Sequence, residues 1–224
     1  RYPRAPHVLI GLPNRYVLER DMKDPAWDDE DRAAANLLPG ISDAVLMSSR
    51  NGIDFERWEE AWIRPPADSR QWLDRNLFPS LGMVQTTPEE ISVYWDEYNR
   101  HPEKRLMRGV IRTDGFVSIH AGIEPGELLT RPFTFEGDRL EINFATSAIG
   151  YLHMAICDEA GNALPGFAFE DTEPLFGNAI VQVVNWPAGS DLAALAGTPV
   201  RLRVRLKDAD FYSFRFVAGS DSQP

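Results

Sequence analysis

Two short stretches of the sequence gather side chains able to do polar chemistry. "QWLDRNLFPSLG" sets Asp74, Arg75 and Asn76 side by side. A carboxylate beside a guanidinium can grip a polar ligand through paired hydrogen bonds; it can equally close a surface ion pair next to a turn asparagine. "YWDEYNRHP" sets Trp95, Asp96, Glu97 and Tyr98 at the end of an apolar run. There Glu97 can act as a general acid or as a hydrogen-bond acceptor, and Trp95 offers a flat apolar face. The plainer reading is a strand terminus with solvated carboxylates. "LPNRY" supplies Asn14 and Arg15 in the same style, and Trp27, Asp28 and Asp29 form either a lid or an ordinary acidic loop.

Other chemistries find little footing. His7 and His120 adjoin apolar strand residues, His101 precedes a proline and His153 alternates within a strand, so no pair has metal-ligand spacing. Asp28, Asp29, Glu30 and Asp31 lack the turn glycine and alternation of a calcium loop and read as a solvated charge run. Neither Gly-x-Ser-x-Gly nor a phosphate loop occurs, and no cofactor is implied. The single cysteine, Cys157 in "HMAICDEAG", has no internal disulfide partner and fits a buried strand position. A formal charge of −11 over 224 residues argues against nucleic acid as a partner, since phosphate binding needs a basic stripe. No run of about 18 apolar residues exists to span a membrane. No signal peptide is visible, but Arg1 is not an initiator, which leaves both cytoplasmic and exported locations open.

The elements that must position these residues are strands. "HVLIGLPNRYVLE" reads as a strand, a Gly-Leu-Pro break and a second extended piece. Residues 20–40 are polar and acidic, an inserted loop with room for a helical turn or two after Pro25. Asn51-Gly52 between apolar runs predicts a hairpin. A Thr-Pro-Glu-Glu turn joins two further strands, and Asp114-Gly115 marks another turn. From Glu127 onward, strand-length pieces alternate with Gly, Asp or Pro at regular intervals. Arg201, Arg203 and Arg205 alternate with Leu202, Val204 and Leu206, the mark of a strand with one wet face. "LAALAG" ends a short helical turn on glycine. The chain is therefore all-β and divides near Gly115, with hairpins before it and a β-sandwich after it.

"SSRNGIDFERWEEAWIRP" resembles the strand–turn–strand signature of five-bladed β-propeller glycosidases, the clan of glycoside hydrolase families 32, 43, 62 and 68. The stretch from Arg112 to Phe216, with "RTDGFVSIHAG", "GELLTRPFTFEGDRLEINFATS" and "TPVRLRVRLKDADFYSFRF", resembles the C-terminal, jelly-roll-like sandwich that follows such propellers in bacterial family-32-like proteins. The resemblance implies a partial propeller over residues 1–115 (about two blades, with the 20–40 loop inserted), a sandwich over 116–217 and a tail over 218–224.

It further implies a glycosidase when complete, with one carboxylate attacking or activating water and a second protonating the leaving oxygen. The blades that carry those groups in the family lie outside this stretch, and the Trp-Met-Asn-Asp, Arg-Asp-Pro and Glu-Cys motifs are not found. What the chain offers is rim chemistry: Glu97 and Asp74 as candidate catalytic carboxylates, and Arg75, Asn76, Trp95, Asn14 and Arg15 as sugar contacts. The expected partners are a carbohydrate substrate and the remaining blades, on the same polypeptide or another. The alternative is a non-catalytic carbohydrate-binding or structural module, or a subunit that completes a propeller with a second chain. In the sandwich, Trp186, Phe167, Phe169 and Tyr212 are the aromatics that could stack on sugars. Phe167 and Phe169, like Phe211, Phe214 and Phe216, fit core-facing alternation better, which would leave the module as a buttress.

Overall fold

A computed structural model describes residues 1–20, 29–34, 39–72, 77–99, 102–187 and 190–219. Asp74, Arg75, Asn76, Trp27, Asp28 and His101 lie outside these described residues, as does the side chain of Asp29. The described chain is all-β, apart from the six-residue helix α1 (Asp29–Ala34) and three 3-10 turns, and none of its antiparallel sheets closes on itself.

The first sheet holds β1 (Leu9–Gly11), β2 (Asn14–Val17), β3 (Ile41–Ser49) and β4 (Glu56–Ile63). Strands β1 and β2 are two halves of one interrupted strand. Leu9 pairs with Ser49 and Gly11 with Met47; then Asn14 pairs with Ala44 and Val17 with Ile41 along the same edge of β3. The break falls at Pro13, which has no N–H to give to a ladder. Strand β4 lies on the other edge of β3, joined through Asn51-Gly52 as the sequence predicts. Asn51 Oδ1 accepts from the backbone N–H groups of Ile53 and Asp54, and Ser49 Oγ accepts from those of Asn51 and Gly52. Gly52 takes a left-handed φ of 77°, which a side chain would resist.

The second sheet repeats this plan. Strands β5 (Phe78–Pro79) and β6 (Val84–Gln85) are again halves of a broken strand on one edge of β7 (Glu90–Glu97), and β8 (Arg105–Arg112) takes the other edge. Phe78 pairs with Asp96 and Pro79 with Trp95, whereas Val84 pairs with Ser92 and Gln85 with Ile91. The Thr-Pro-Glu-Glu turn closes through reciprocal backbone bonds between Thr87 and Glu90. In both sheets the centre strand is buried over consecutive residues, Ala44-Val45-Leu46 in β3 and Ile91-Ser92-Val93 in β7. Consecutive burial means that both faces of the centre strand are covered.

The third sheet contains β9 (Ile119–Ala121), β10 (Gly126–Leu129), β11 (Arg139–Cys157), β12 (Asn178–Val184) and β13 (Arg201–Val217). The order is β10-β13-β11-β12, with β9 also on β13. "RLEINFATSA" and "YLHMAIC", which look like separate strands in the sequence, are one 19-residue strand with an irregularity between Thr146 and Tyr151. The inward parity of β13 changes there. Leu202, Val204 and Leu206 point into the core before the irregularity, and Ala209 and Phe211 after it. An extra residue in a bulge re-aims the following side chains and keeps the apolar set on one face. Leu140, Ile142, Phe144, Leu152, Met154 and Ile156 supply the facing half of this core. Cys157 is buried, and burial raises its thiol pKa, which suits an inert position.

The chain divides between Val110 and Ile111 into two compact units, with Thr87–Glu90 joining the second. Asp114-Gly115 follows β8 as a turn, with Asp114 at φ 59° and the Gly115 N–H donating to the Arg112 carbonyl. It is not a hairpin: β8 pairs with β7, whereas β9 pairs with β13.

Candidate functional site

The densest polar constellation among the described residues lies in the first unit, where β7 ends. Glu97 closes the strand, and Tyr98 turns the chain out of it with a left-handed φ of 54°. That backbone is costly for a bulky side chain and persists only where the surroundings hold it. Here they do. The Tyr98 N–H donates to Gln71 Oε1 at 3.2 Å, and Gln71 is itself fully buried on the 3-10 turn Ser69–Trp72. The turn is fixed in its own right by Trp72 Nε1 donating to the Pro66 carbonyl and by the Gln71 N–H donating to the Asp68 carbonyl.

The Tyr98 ring is 4% exposed and lies between two guanidiniums, with Arg70 and Arg105 each 4.8 Å from its centroid. Its phenol donates to Asp68 Oδ2 at 2.5 Å. Arg70 grips the same carboxylate as a fork, Nε to Oδ1 at 3.0 Å and one terminal nitrogen to Oδ2 at 2.7 Å, and also pairs with Glu103. On the other side Arg105 donates twice to Glu97 Oε2, at 3.0 and 2.7 Å, while the Trp95 indole donates to Oε1 at 3.3 Å. Planar forks of this kind fix the angle of a side chain as well as its position.

The electrostatics follow the contacts. Arg70, with help from the Tyr98 phenol, holds the Asp68 carboxyl well below the usual carboxylate range. The hydrogen bond to Asp68 and burial push the Tyr98 phenol up. Glu97 raises Arg105, and Asp68 raises Arg70. The site is thus a set of locked donors and acceptors around one aromatic ring.

Of the residues the sequence puts forward, Trp95 and Glu97 come together here. Asn14 and Arg15 are engaged elsewhere: Asn14 Nδ2 donates to the Leu77 carbonyl, and Arg15 forks onto Asp43, its direct cross-strand partner, and reaches the Glu59 carbonyl on β4. Asp68, Arg70, Gln71 and Arg105 escape a reading by motif. The one available signal is Asp68-x-Arg70, whose carboxylate accepts the Arg70 N–H two residues on, a local turn bond.

The second unit answers several other expectations. Phe167 and Phe169 are buried, Trp186 packs against the core beside Phe167, and the Tyr212 ring is covered by the Arg112 guanidinium at 4.2 Å. Burial closes Phe167 and Phe169 to a sugar, whereas Trp186 and Tyr212 are half-buried. Ser118, His120 and Asp210 meet, but the serine and the imidazole both contact Asp210 Oδ1, at 2.7 and 3.1 Å. A nucleophilic relay needs the serine on the imidazole instead. No cluster of metal-ligating side chains occurs among the described residues. No helix among them is long and apolar enough to cross a membrane. No family model matches the sequence, and no curated protein or solved structure is significantly similar to it.

Proposed function

We propose that this chain is the C-terminal portion of a glycoside hydrolase of the five-bladed propeller clan, with the two broken-strand sheets as blades and the C-terminal unit as the accompanying β-sandwich. The observation that carries the reading is the repeated plan of those two sheets, each with an interrupted first strand on one edge of a doubly covered centre strand and a third strand on the other. A radial array of blades needs centre strands covered on both faces, because each sheet is stacked between neighbours. The step from fold to activity rests on the sequence resemblance.

In this reading the Tyr98 cluster is part of the sugar-binding rim. Arg70 and Arg105 donate to hydroxyls, Asp68 accepts, and Trp95 gives an apolar face for a pyranose ring. Both oxygens of Glu97 already accept hydrogen bonds, so it serves better as the residue that positions Arg105 than as the proton donor. Asp74 remains the candidate catalytic carboxylate of this chain, three residues after Gln71, with Arg75 and Asn76 beside it. The other catalytic carboxylates belong to the missing blades.

A second reading, a subunit or module whose blades are completed by another chain, is favoured by apolar side chains left exposed in the second sheet: Leu106 and Val110 on β8, Phe78 on β5 and Val84 on β6. The intact mass of the native species, with any co-purifying chain, separates the two readings. A longer polypeptide that cleaves chromogenic glycosides, and loses that activity on Asp74→Asn, supports the hydrolase. A stoichiometric partner supports the subunit. A lone, soluble 25.3 kDa species without glycosidase activity would sink both.

A further inference from the structure

Strand β13 carries a ladder of cations on one face. Leu202, Val204 and Leu206 point into the core, so Arg201, Arg203, Arg205 and Lys207 share the opposite face at intervals of about 7 Å. The residues directly across on β11 are Cys157, Ala155, His153 and Tyr151, none of them a carboxylate. On β10, Leu129 stands opposite Arg203 and Glu127 opposite Arg205. One carboxylate therefore serves the ladder: Glu127 Oε1 takes Arg205 at 2.6 Å, and Oε2 takes Arg203 at 3.3 Å. Lys207 has no ion-pair partner among the described residues.

Other cations of this unit are arranged differently. Arg139 and Arg215 converge on the buried Glu141, and Arg112 is spent on Asn178, on backbone carbonyls and on Tyr212. The segment that follows β11 brings acids near the ladder but turns two of them away. Asp158 accepts from Asn162, and Asp171 from the Ala168 N–H. Glu159, Glu170 and Glu173 are exposed, where solvent and salt screen them.

The ladder is also held in place. The Arg205 guanidinium lies 4.5 Å over the Phe169 ring, which stacks on His153, and His153 Nε2 is 2.8 Å from the Thr172 carbonyl. Arg201 Nε donates to the Thr130 carbonyl. The side chains of Arg203 and Arg205 stay about two-fifths exposed, and that of Glu127 between them over a third. Glu127 thus shows the chemistry this face accepts: a carboxylate, seated between two guanidiniums within reach of solvent.

We propose that this face of the C-terminal sheet binds an anionic polysaccharide, whose carboxylate or sulfate groups pair with Arg203, Arg205 and Lys207. The choice of a glycan over another polyanion rests on the carbohydrate reading above; the anion site itself rests on β10, β11 and β13 alone. A net charge of −11 repels polyanions in general, so the attraction must be local and depend on these side chains.

The test is affinity electrophoresis of the full chain in gels containing polygalacturonate, dextran sulfate or neutral dextran, with a single-stranded oligoribonucleotide as competitor. Retardation by polygalacturonate alone identifies carboxylates as the ligand groups, by dextran sulfate alone sulfates, and by both a general anion site; each supports the proposal. Lys207→Ala, which removes no side-chain hydrogen bond or ion pair among the described residues, should weaken binding severalfold. Arg203→Ala with Lys207→Ala should weaken it about tenfold or more, and added salt should weaken it further. Glu127→Gln removes the resident competitor and should tighten binding, which keeps the proposal testable if the double variant misfolds. Arg57→Ala, on the exposed pair with Glu59, is the control. Equal migration in all three gels, or binding indifferent to Lys207 and Glu127, overturns the proposal. Competition by the oligoribonucleotide as strong as by either glycan overturns it in favour of nucleic acid. Binding is read without turnover and on residues outside the Tyr98 cluster, so a failed glycosidase assay leaves this outcome separate.

Discussion

The Tyr98 phenol donates to Asp68 across thirty residues of sequence, at 2.5 Å, while the Tyr98 backbone sits in the left-handed region. The two facts belong together. A strained backbone survives where side-chain contacts outweigh it, and here the ring is clamped between Arg70 and Arg105. Tyr98→Phe keeps the clamped ring and loses the donor; Tyr98→Ala loses both. Thermal unfolding should rank them, with Tyr98→Ala costing about 3 kcal/mol and Tyr98→Phe well under half of that. Equal effects of the two would mean that the ring contributes nothing.

Acid should loosen this site through Asp68. Its carboxyl titrates well below the usual range when folded, held down by Arg70 and the Tyr98 phenol, whereas in the unfolded chain it titrates at about 3.9. Below that value the unfolded state binds a proton that the folded state does not, so stability falls as pH falls. The contribution is fully present above about pH 5 and is lost progressively below about pH 4. Asp158, held down by Asn162, adds to the same limb. Unfolding midpoints between about pH 3 and 6 should fall less steeply in Asp68→Asn than in the parent chain, because the variant has already lost the group that titrates.

The local elements were largely legible because their signals are local. Asn51-Gly52 marks its hairpin, the Gly-Leu-Pro break marks the interruption between β1 and β2, and the alternation from Arg201 to Leu206 marks one wet face and one dry one. The length of β11 was not legible: "SAIG" looks like a turn, yet it is a bulge within one strand, because β13 continues to pair on both sides of it. The cluster was half legible for a similar reason. Trp95 and Glu97 are alternate residues of one strand and announce themselves, whereas Asp68 and Arg70 reach Tyr98 only through the tertiary fold. Arg15 stands apart from the cluster because the cross-strand register places it opposite Asp43, a pairing that no spacing in the sequence announces.

Gly150 tests whether the bulge in β11 is obligatory. A Cβ there would stand 2.3 Å from the Asp208 carbonyl oxygen and 2.8 Å from that of Lys207, both backbone atoms that cannot swing away. Gly150→Ala should therefore destabilise the chain by about 2 kcal/mol or more. Gly122→Ala likewise adds a Cβ outside the positive-φ region but meets nothing within 4 Å, and should change stability by about 0.5 kcal/mol or less. The difference between the two denaturation midpoints isolates the steric part. Should the two variants unfold alike, Asp208 and the bulge must shift freely, and the parity change in β13 would need another cause.

Arg112 carries the last expectation. One of its terminal nitrogens donates to Asn178 Oδ1 at 2.8 Å and the other to the Ala179 carbonyl at 2.9 Å, with the guanidinium plane over Tyr212. A lysine can supply charge at one point but not two directed bonds and a stacked plane. Arg112→Lys should thus recover less than half of the stability lost in Arg112→Ala, measured by urea denaturation with tyrosine and tryptophan fluorescence as the readout. Gly115 constrains the same side chain: a Cβ at that position would fall 2.0 Å from Arg112 Cγ. Gly115→Ala must therefore push the arginine stem aside, and it should lose the same interactions, so that combining it with Arg112→Ala costs less than the sum of the two. Full additivity would place Gly115 and Arg112 in separate roles and would remove the stacked guanidinium as the reason for a glycine at the turn.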